Sequence, residues 1–149
     1  KIMKNISLII VLLIFNQCGF KPIFLNQDNN FKIGKIEFNQ ENKSIRNRLK
    51  NIENNNSKFI YDLEINLMDN KSTISKDSRG KPLLLRYNVE LKLIVKENNQ
   101  IVFNKIYKDD FDYQNLDKKF ELKSYEEKIK EDILNQIVNK ILIDLSSLK

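Results

Sequence analysis

Apolar and polar residues alternate along several stretches of the chain, and a period of two residues predicts β-strands. The predicted strands cover residues 33–38, 58–68, 83–96 and 101–113. A short polar segment, residues 97–100, separates the last two strands and predicts a tight hairpin turn. Residues 69–82 are polar and include Gly80 and Pro82, so we expect a long loop between the second and third strands.

Two other stretches have the period of an amphipathic helix. Apolar side chains fall on one face of residues 41–53, which predicts the first helix. Near the end of the chain, apolar residues recur at every fourth position: Ile129, Ile133, Ile137, Ile141 and Leu145. Ser124 and Glu127 precede this stripe with the spacing of a capping box, so the last helix is predicted to begin at Ser124.

The order of elements, β-α-β-β-β-α, predicts an α+β fold in which two helices pack on one face of a four-stranded mixed sheet. The first two strands should be parallel because a helix joins them, and the last three should form an antiparallel meander. Residues 33–149 are long enough to form this fold as a single domain with a buried core. The other face of the sheet should be exposed to solvent, because it carries Glu64, Arg86, Glu90, Lys92 and Lys108.

The beginning of the chain has the pattern of a secretory leader. Lys1 and Lys4 precede a ten-residue apolar run, residues 6–15, which is interrupted only by Ser7. This run is too short to span a bilayer, which takes about 20 helical residues. Residues 1–17 are therefore predicted to be a lipoprotein signal peptide, because a lone cysteine, Cys18, follows directly.

Cys18 is the predicted site of lipid attachment, since a cysteine after an apolar run resembles the lipobox of bacterial lipoproteins. Palmitate and other acyl chains on this residue would hold the protein at a membrane. Residues 18–32 would then be a lipid-anchored, extended segment. Gly19 follows the cysteine, and by resemblance to enteric lipoproteins this indicates the periplasmic side of the outer membrane. Gln17 is unusual at the cleavage position, so ordinary secretory cleavage and an uncleaved anchor remain alternatives.

Composition narrows the possible chemistry. The net charge is +6, but lysines are dispersed among acidic residues without a basic stripe, so no nucleic-acid partner is predicted. The chain has no histidine and one cysteine, which excludes histidine-activated nucleophiles, an internal disulfide and a cysteine-rich zinc site. Asp109, Asp110 and Asp112 are the only tight acidic cluster, and we interpret them as a solvated strand end instead of a metal or hydrolase site. We therefore predict no enzyme activity, catalytic residue, metal or cofactor.

Several segments together resemble the LPS-assembly lipoprotein family, LptE (also called RlpB). They are the CGFKPIF start at residues 18–24, the helical IRNRLKNI at 45–52, the strand LLRYNVELKL at 84–93, the aromatic-Asp segment at 111–113 and the long last helix. The resemblance covers nearly the whole chain. It implies the same fold of two helices on a four-stranded sheet.

The resemblance also implies a function. Members of this family partner the LptD β-barrel as a plug and assist the insertion of lipopolysaccharide into the outer leaflet. Their lipopolysaccharide-binding residues match Arg79, in the loop after the second strand, and Lys123, just ahead of the last helix; Lys76 and Lys81 flank Arg79. Two alternatives stay open: these cations are ordinary solvated charges, or the chain is another periplasm-facing lipoprotein, such as an auxiliary subunit of an ABC-type lipid transport or secretion system.

Overall fold

The computed structural model describes residues 31–51 and 57–148. The predicted signal peptide, Cys18 and all of the anchored segment except its last two residues lie outside the described residues. The elements follow the predicted order: β1 (Phe31–Phe38), α1 (Lys43–Lys50), β2 (Phe59–Lys76), β3 (Pro82–Glu97), β4 (Gln100–Gln114) and α2 (Lys119–Ser147).

The four strands form one mixed sheet in the order β1-β2-β3-β4. β1 and β2 are parallel and are joined by α1, whereas β2, β3 and β4 are antiparallel. The predicted hairpin between β3 and β4 is confirmed: Asn98 and Asn99 form its tip with φ values of 49° and 64°. Asparagine tolerates this left-handed conformation, which such a two-residue hairpin requires. The predicted α+β fold class is thus confirmed.

The core lies between the sheet and the two helices. The predicted stripe of α2 is buried at all five positions, and α1 contributes Ile45 and Leu49. From the sheet, alternate residues of β2 and β3 face these helices: Tyr61, Leu63, Ile65, Leu67, Tyr87, Val89, Leu91, Leu93 and Val95. Burying each such aliphatic side chain stabilises the fold by about 1.5–3 kcal/mol. Both helices therefore cover the sheet face that the alternation predicted.

The predicted long loop between β2 and β3 is wrong over most of its length. β2 continues to Lys76, and its polar second half pairs with β3 from Asp69↔Val89 to Lys76↔Pro82. These residues lack the apolar alternation of a half-buried strand, but β3 supplies partners for their backbone groups. Only residues 77–81 remain as the turn.

Both helices differ from their predicted boundaries. α1 begins at Lys43, where the Asn42 side chain accepts a hydrogen bond from the Ile45 N–H at 3.0 Å. α2 begins at Lys119, five residues before the predicted start, so the capping-box prediction at Ser124 is wrong. The additional turn includes Leu122, which packs against the core and donates its N–H to the Lys118 carbonyl at 3.0 Å. Among the described residues, neither helix has the length and apolarity needed to cross a bilayer.

The outer face of the sheet, which points away from the helices, is only partly polar. Its cross-strand ion pairs include Glu64 with Lys96, Glu90 with Lys108 and Arg86 with Asp112. Ile60, Met68 and Ile106 also lie exposed on this face. The prediction of a solvent-exposed face is therefore right for the charged residues and incomplete for these aliphatic ones.

Three buried tyrosines connect the sheet to α2 through carboxylates that also bind lysines. In each group, one carboxylate accepts a hydrogen bond from a tyrosine hydroxyl and another from a lysine ammonium. Asp69 binds Tyr87 and Lys130. Asp144 binds Tyr107 and Lys105, and Glu126 binds Tyr113 and Lys71. Burial, followed by the hydrogen bond to the carboxylate, raises the pKa of all three hydroxyls. We call these groups the three tyrosine–carboxylate–lysine clusters. Each places a satisfied polar group between sheet and helix.

Candidate functional site

The turn between β2 and β3 is built around Asp77. Its carboxylate accepts hydrogen bonds from the N–H groups of Arg79 (2.9 Å) and Lys81 (2.8 Å), and its own N–H donates to the Lys81 carbonyl. Gly80 has φ +84°, a conformation that other residues rarely adopt. The turn is therefore held by its own backbone and side-chain bonds, independently of the core.

This geometry puts Arg79 at the extremity of the hairpin. Its side chain is 87% exposed, and its Nε lies 3.8 Å from the Asp77 carboxylate. Lys76 is also exposed, at the last position of β2. An exposed guanidinium with one loose ionic contact can still present a planar pair of N–H donors to a phosphate or carboxylate.

Lys81 connects the turn to the start of α2. Its ammonium bonds to the Asp117 carboxylate, and this hydrogen bond raises the pKa of Lys81 and lowers the pKa of Asp117. Nearby, the Asn115 N–H and side-chain amide donate to the carbonyls of Leu83 and Pro82 at 2.9 Å each. The segment before α2 is thereby fastened to the base of the turn.

Lys123 does not precede the last helix, as the sequence predicted. It lies in the second turn of α2, because α2 begins at Lys119. Its side chain is 76% exposed, and its ammonium lies 4.0 Å from the Glu127 carboxylate. The position remains on the same end of the molecule as the turn, since Lys81 is bonded to Asp117 just before the helix.

The structure thus brings residues 76–81 together with residues 116–123, and we call this region the tip surface. It carries six cations against three carboxylates, Asp77, Asp117 and Glu121. The cations are Lys76, Arg79, Lys81, Lys118, Lys119 and Lys123. The excess of positive charge on an exposed surface favours an anionic ligand.

Exposed apolar side chains accompany these cations. Phe120 is 85% exposed in the first turn of α2, and Leu116 and Leu83 are also exposed beside the segment fastened to β3. Basic groups next to exposed aromatic and aliphatic groups suit an amphiphile that has both phosphates and acyl chains. Lys118, Lys119, Leu116 and Phe120 were not predicted as site residues. Their only signal in the sequence was a basic pair beside an aromatic residue, within a stretch interpreted as a polar linker.

The acidic cluster of β4 is a set of ion pairs. Asp110 and Asp112 share the outer face, and both flank Arg86, whose Nε lies 3.3 Å and 2.6 Å from their carboxylates. The hydrogen bond from Arg86 lowers the pKa of Asp112. Asp109 points to the opposite face and binds Lys140 of α2 at 2.9 Å. Within residues 31–51 and 57–148, no three histidine, cysteine or acidic side chains are grouped as metal ligands.

Comparison with known proteins gives matches in structure but not in sequence. No protein-family model matches the chain, and no curated protein matches it significantly. Rare lipoprotein B from Shewanella oneidensis aligns with a TM-score of 0.58 at 18% identity, over 78% of this chain and 94% of that one. Lipoprotein B from Nitrosomonas europaea, described as uncharacterized, aligns with a TM-score of 0.62 at 15% identity, over 83% and 89%. A minor lipoprotein from Acinetobacter baumannii gives a TM-score of 0.64 at 10% identity, over 82% and 94%.

The chain therefore has the fold of a class of small bacterial lipoproteins: two helices on one face of a four-stranded mixed sheet. Within that class, two of the similar structures are named lipoprotein B. The chain has the fold of rare lipoprotein B, RlpB or LptE, and the resemblance predicted from the sequence is confirmed as a likeness of fold.

Proposed function

We propose that this chain is a non-enzymatic lipoprotein of the outer membrane that partners an LptD-type β-barrel. In this proposal it serves as plug and assembly factor while lipopolysaccharide passes into the outer leaflet. The observation that carries the proposal is the shared fold with rare lipoprotein B over 94% of that protein, combined with a basic tip surface. The fold likeness supports the family, and the tip surface supports the ligand.

The tip surface supports lipopolysaccharide as the ligand because its chemistry matches both parts of that molecule. Arg79, Lys76 and Lys123 are exposed cations that can donate charge-assisted hydrogen bonds to lipid A phosphates. Phe120 and Leu116 offer apolar surface to the acyl chains. In the proposal, Arg79 binds phosphate directly, and Lys81 mainly holds the turn against α2 through Asp117.

Cys18 is the proposed lipid attachment site, followed by a short segment that leads to β1. Its thioether-linked diacylglycerol and acylated amine would keep the domain on the periplasmic side of the outer membrane. Incorporation of radiolabelled palmitate tests this part alone. We expect label in the wild type and none in Cys18→Ala, and label-free wild-type protein would remove the anchor from the proposal.

Affinity purification of the tagged full chain from detergent-solubilised envelopes tests the partnership. We expect an LptD-type β-barrel to be recovered with the chain at a stoichiometry near one to one. Recovery with an inner-membrane ATPase complex would instead assign the chain to an ABC-type transport or secretion system. A matched purification of Leu91→Ala, whose substitution is in the core, should recover less barrel because less of the chain is folded.

A further inference from the structure

β4 forms one edge of the sheet and is available for strand pairing. It pairs with β3 along its length, from Glu97↔Gln100 to Leu84↔Gln114. Among the described residues, no strand pairs with its other side. Edge strands are often protected by proline, bulges, charged side chains or very short length. β4 has one register shift, between Ile101 and Phe103, but it has 15 residues without proline or glycine. Its two lysines and three aspartates carry both signs, so they can attract a partner strand of mixed charge. A row of backbone donors and acceptors therefore faces outward.

The side chains of β4 that face the helices are self-complementary about Tyr107. Phe103 and Phe111 lie four residues on either side of Tyr107, and Lys105 and Asp109 lie two residues on either side. Their common face is set by their contacts: Tyr107 and Lys105 bind Asp144 of α2, and Asp109 binds Lys140 of α2. Reversing the strand direction exchanges aromatic for aromatic and cation for anion.

An antiparallel pair of two β4 strands would use this pattern fully. With Tyr107 opposite Tyr107 of a second copy, Phe103 is opposite Phe111 and Lys105 is opposite Asp109, and each pair occurs twice by symmetry. Aromatic pairs and opposite charges directly across two strands are the favourable combinations. On the outer face, Asn104 would be opposite Asp110 and Ile106 opposite Lys108, so no like charges lie directly opposite each other.

The position of α2 leaves room for this arrangement. α2 lies against both β3 and β4, so its axis is displaced inward from the edge. With strands about 4.8 Å apart, the α2 helices of two copies would be about 10 Å apart, which is an ordinary distance between packed helices. Ile143 is half exposed beside Tyr107 and Lys105, close to where the two-fold axis would pass, and would gain an apolar partner.

We infer that, in chains not bound to a barrel, the free edge of β4 is a pairing site for a second copy of this chain, which gives a continuous eight-stranded sheet with a two-fold axis at Tyr107. The same edge could accept a strand of another protein through backbone bonds alone. The second copy is the occupant that the side chains specify, because the aromatic and charged positions of β4 match their own reverse.

Multi-angle light scattering of the purified full chain in mild detergent, corrected for the detergent, tests this inference. We expect the mass of two chains for the wild type and a shift to one chain for Lys105→Asp and for Asp109→Lys. Each change replaces two cross-strand attractions by two repulsions, so the dissociation constant should rise roughly tenfold or more. Mixing the two variants should restore the dimer, because each aspartate of the first variant, at positions 105 and 109, would then face a lysine of the second.

Lys108→Asp is the matched control: it makes the same charge change on the same strand, but its residue lies on the outer face opposite Ile106 of the second copy. We expect it to remain dimeric, with circular dichroism verifying the fold of every variant. If charge reversal unfolds the chain, Lys105→Gln and Asp109→Asn should still weaken the dimer relative to Lys108→Gln. A monomeric wild type, or a mixture of the folded reversal variants that stays monomeric, would overturn the inference.

Discussion

The helix-covered face of the sheet and the tip surface both contain charged residues, but those residues have different surroundings. On the covered face, Asp69 and Asp144 each bind a tyrosine and a lysine between packed elements. On the tip surface, Arg79 and Lys123 are 87% and 76% exposed and have single carboxylate neighbours at 3.8 Å and 4.0 Å. Charges of the first kind support the fold, whereas charges of the second kind are available to a ligand.

The largest effect on stability should come from a substitution on the helix-covered face of the sheet. Leu91 is 0% exposed at the centre of β3, and Leu91→Ala would leave a cavity among packed side chains. We expect a loss of about 2–5 kcal/mol in the free energy of unfolding, measured by urea denaturation. Phe120→Ala, at an exposed aromatic residue of the tip surface, is the control and should change stability by less than about 0.5 kcal/mol. Equal losses for both variants would remove the distinction between the two regions.

On the tip surface, substitutions should weaken lipopolysaccharide binding and leave the stability of the fold nearly unchanged. Arg79→Asp combined with Lys123→Asp should weaken lipopolysaccharide binding by about tenfold or more, because each charge-assisted hydrogen bond contributes about 1.5–3 kcal/mol. Stability should change by less than about 1 kcal/mol. Binding is measured by titration of the detergent-solubilised full chain, with Lys43→Asp combined with Lys50→Asp on α1 as the control of equal charge change. Unchanged binding would take both residues out of the proposed site.

Tyr107→Phe tests how much a single hydroxyl group on the helix-covered face contributes to stability. It removes the hydroxyl that donates to Asp144 at 2.5 Å and leaves Lys105 bound to the same carboxylate. We expect a loss of about 1 kcal/mol in the free energy of unfolding. Tyr125→Phe, in a partly exposed ring that packs edge-on against Tyr113, provides the control and should have little effect. A neutral Tyr107→Phe would mean that the hydroxyl's hydrogen bond to Asp144 adds no net stability.

The tyrosine–carboxylate–lysine clusters of Asp69 and Asp144 should make the stability of the fold depend on pH. This effect should be smaller and more gradual than the effects of the substitutions above. Burial opposes ionisation of Asp69 and Asp144, but their hydrogen bonds from tyrosine and lysine outweigh it and lower the pKa of both carboxyls below 3.8. Their contribution is therefore complete above the unfolded pKa and is lost as pH falls through the folded pKa. Urea midpoints at about pH 6 and about pH 2.5 should differ more for the wild type than for Asp69→Asn combined with Asp144→Asn. Equal differences would contradict this assignment.

The sequence predicted the covered region well because its signals are periodic. Alternate residues of β2 and β3 and every fourth residue of α2 are buried as the pattern required. The second half of β2 was missed because residues 69–76 are held by backbone pairing with β3, which leaves no apolar period in the sequence. The start of α2 was missed because the Ser124 to Glu127 spacing occurs equally well inside a helix.

The tip surface could be predicted only residue by residue. Arg79 was identified from the resemblance to a family, and Lys76 and Lys81 because they flank it, but the neighbours of all three depend on the tertiary structure. The ion pair of Lys81 with Asp117 joins positions 36 residues apart, and no local pattern predicts it. The contribution of Lys118, Lys119 and Phe120 follows from that contact, since it sets the beginning of α2 beside the hairpin turn.

Photo-crosslinking in growing cells tests whether the tip surface contacts lipopolysaccharide. A photoreactive amino acid is placed at position 79, on the tip surface, and at position 50, on α1, as the matched exposed control. We expect an irradiation-dependent adduct with lipopolysaccharide at position 79 and little or none at position 50. Absence of a lipopolysaccharide adduct at position 79, or equal adducts at both positions, would contradict this contact.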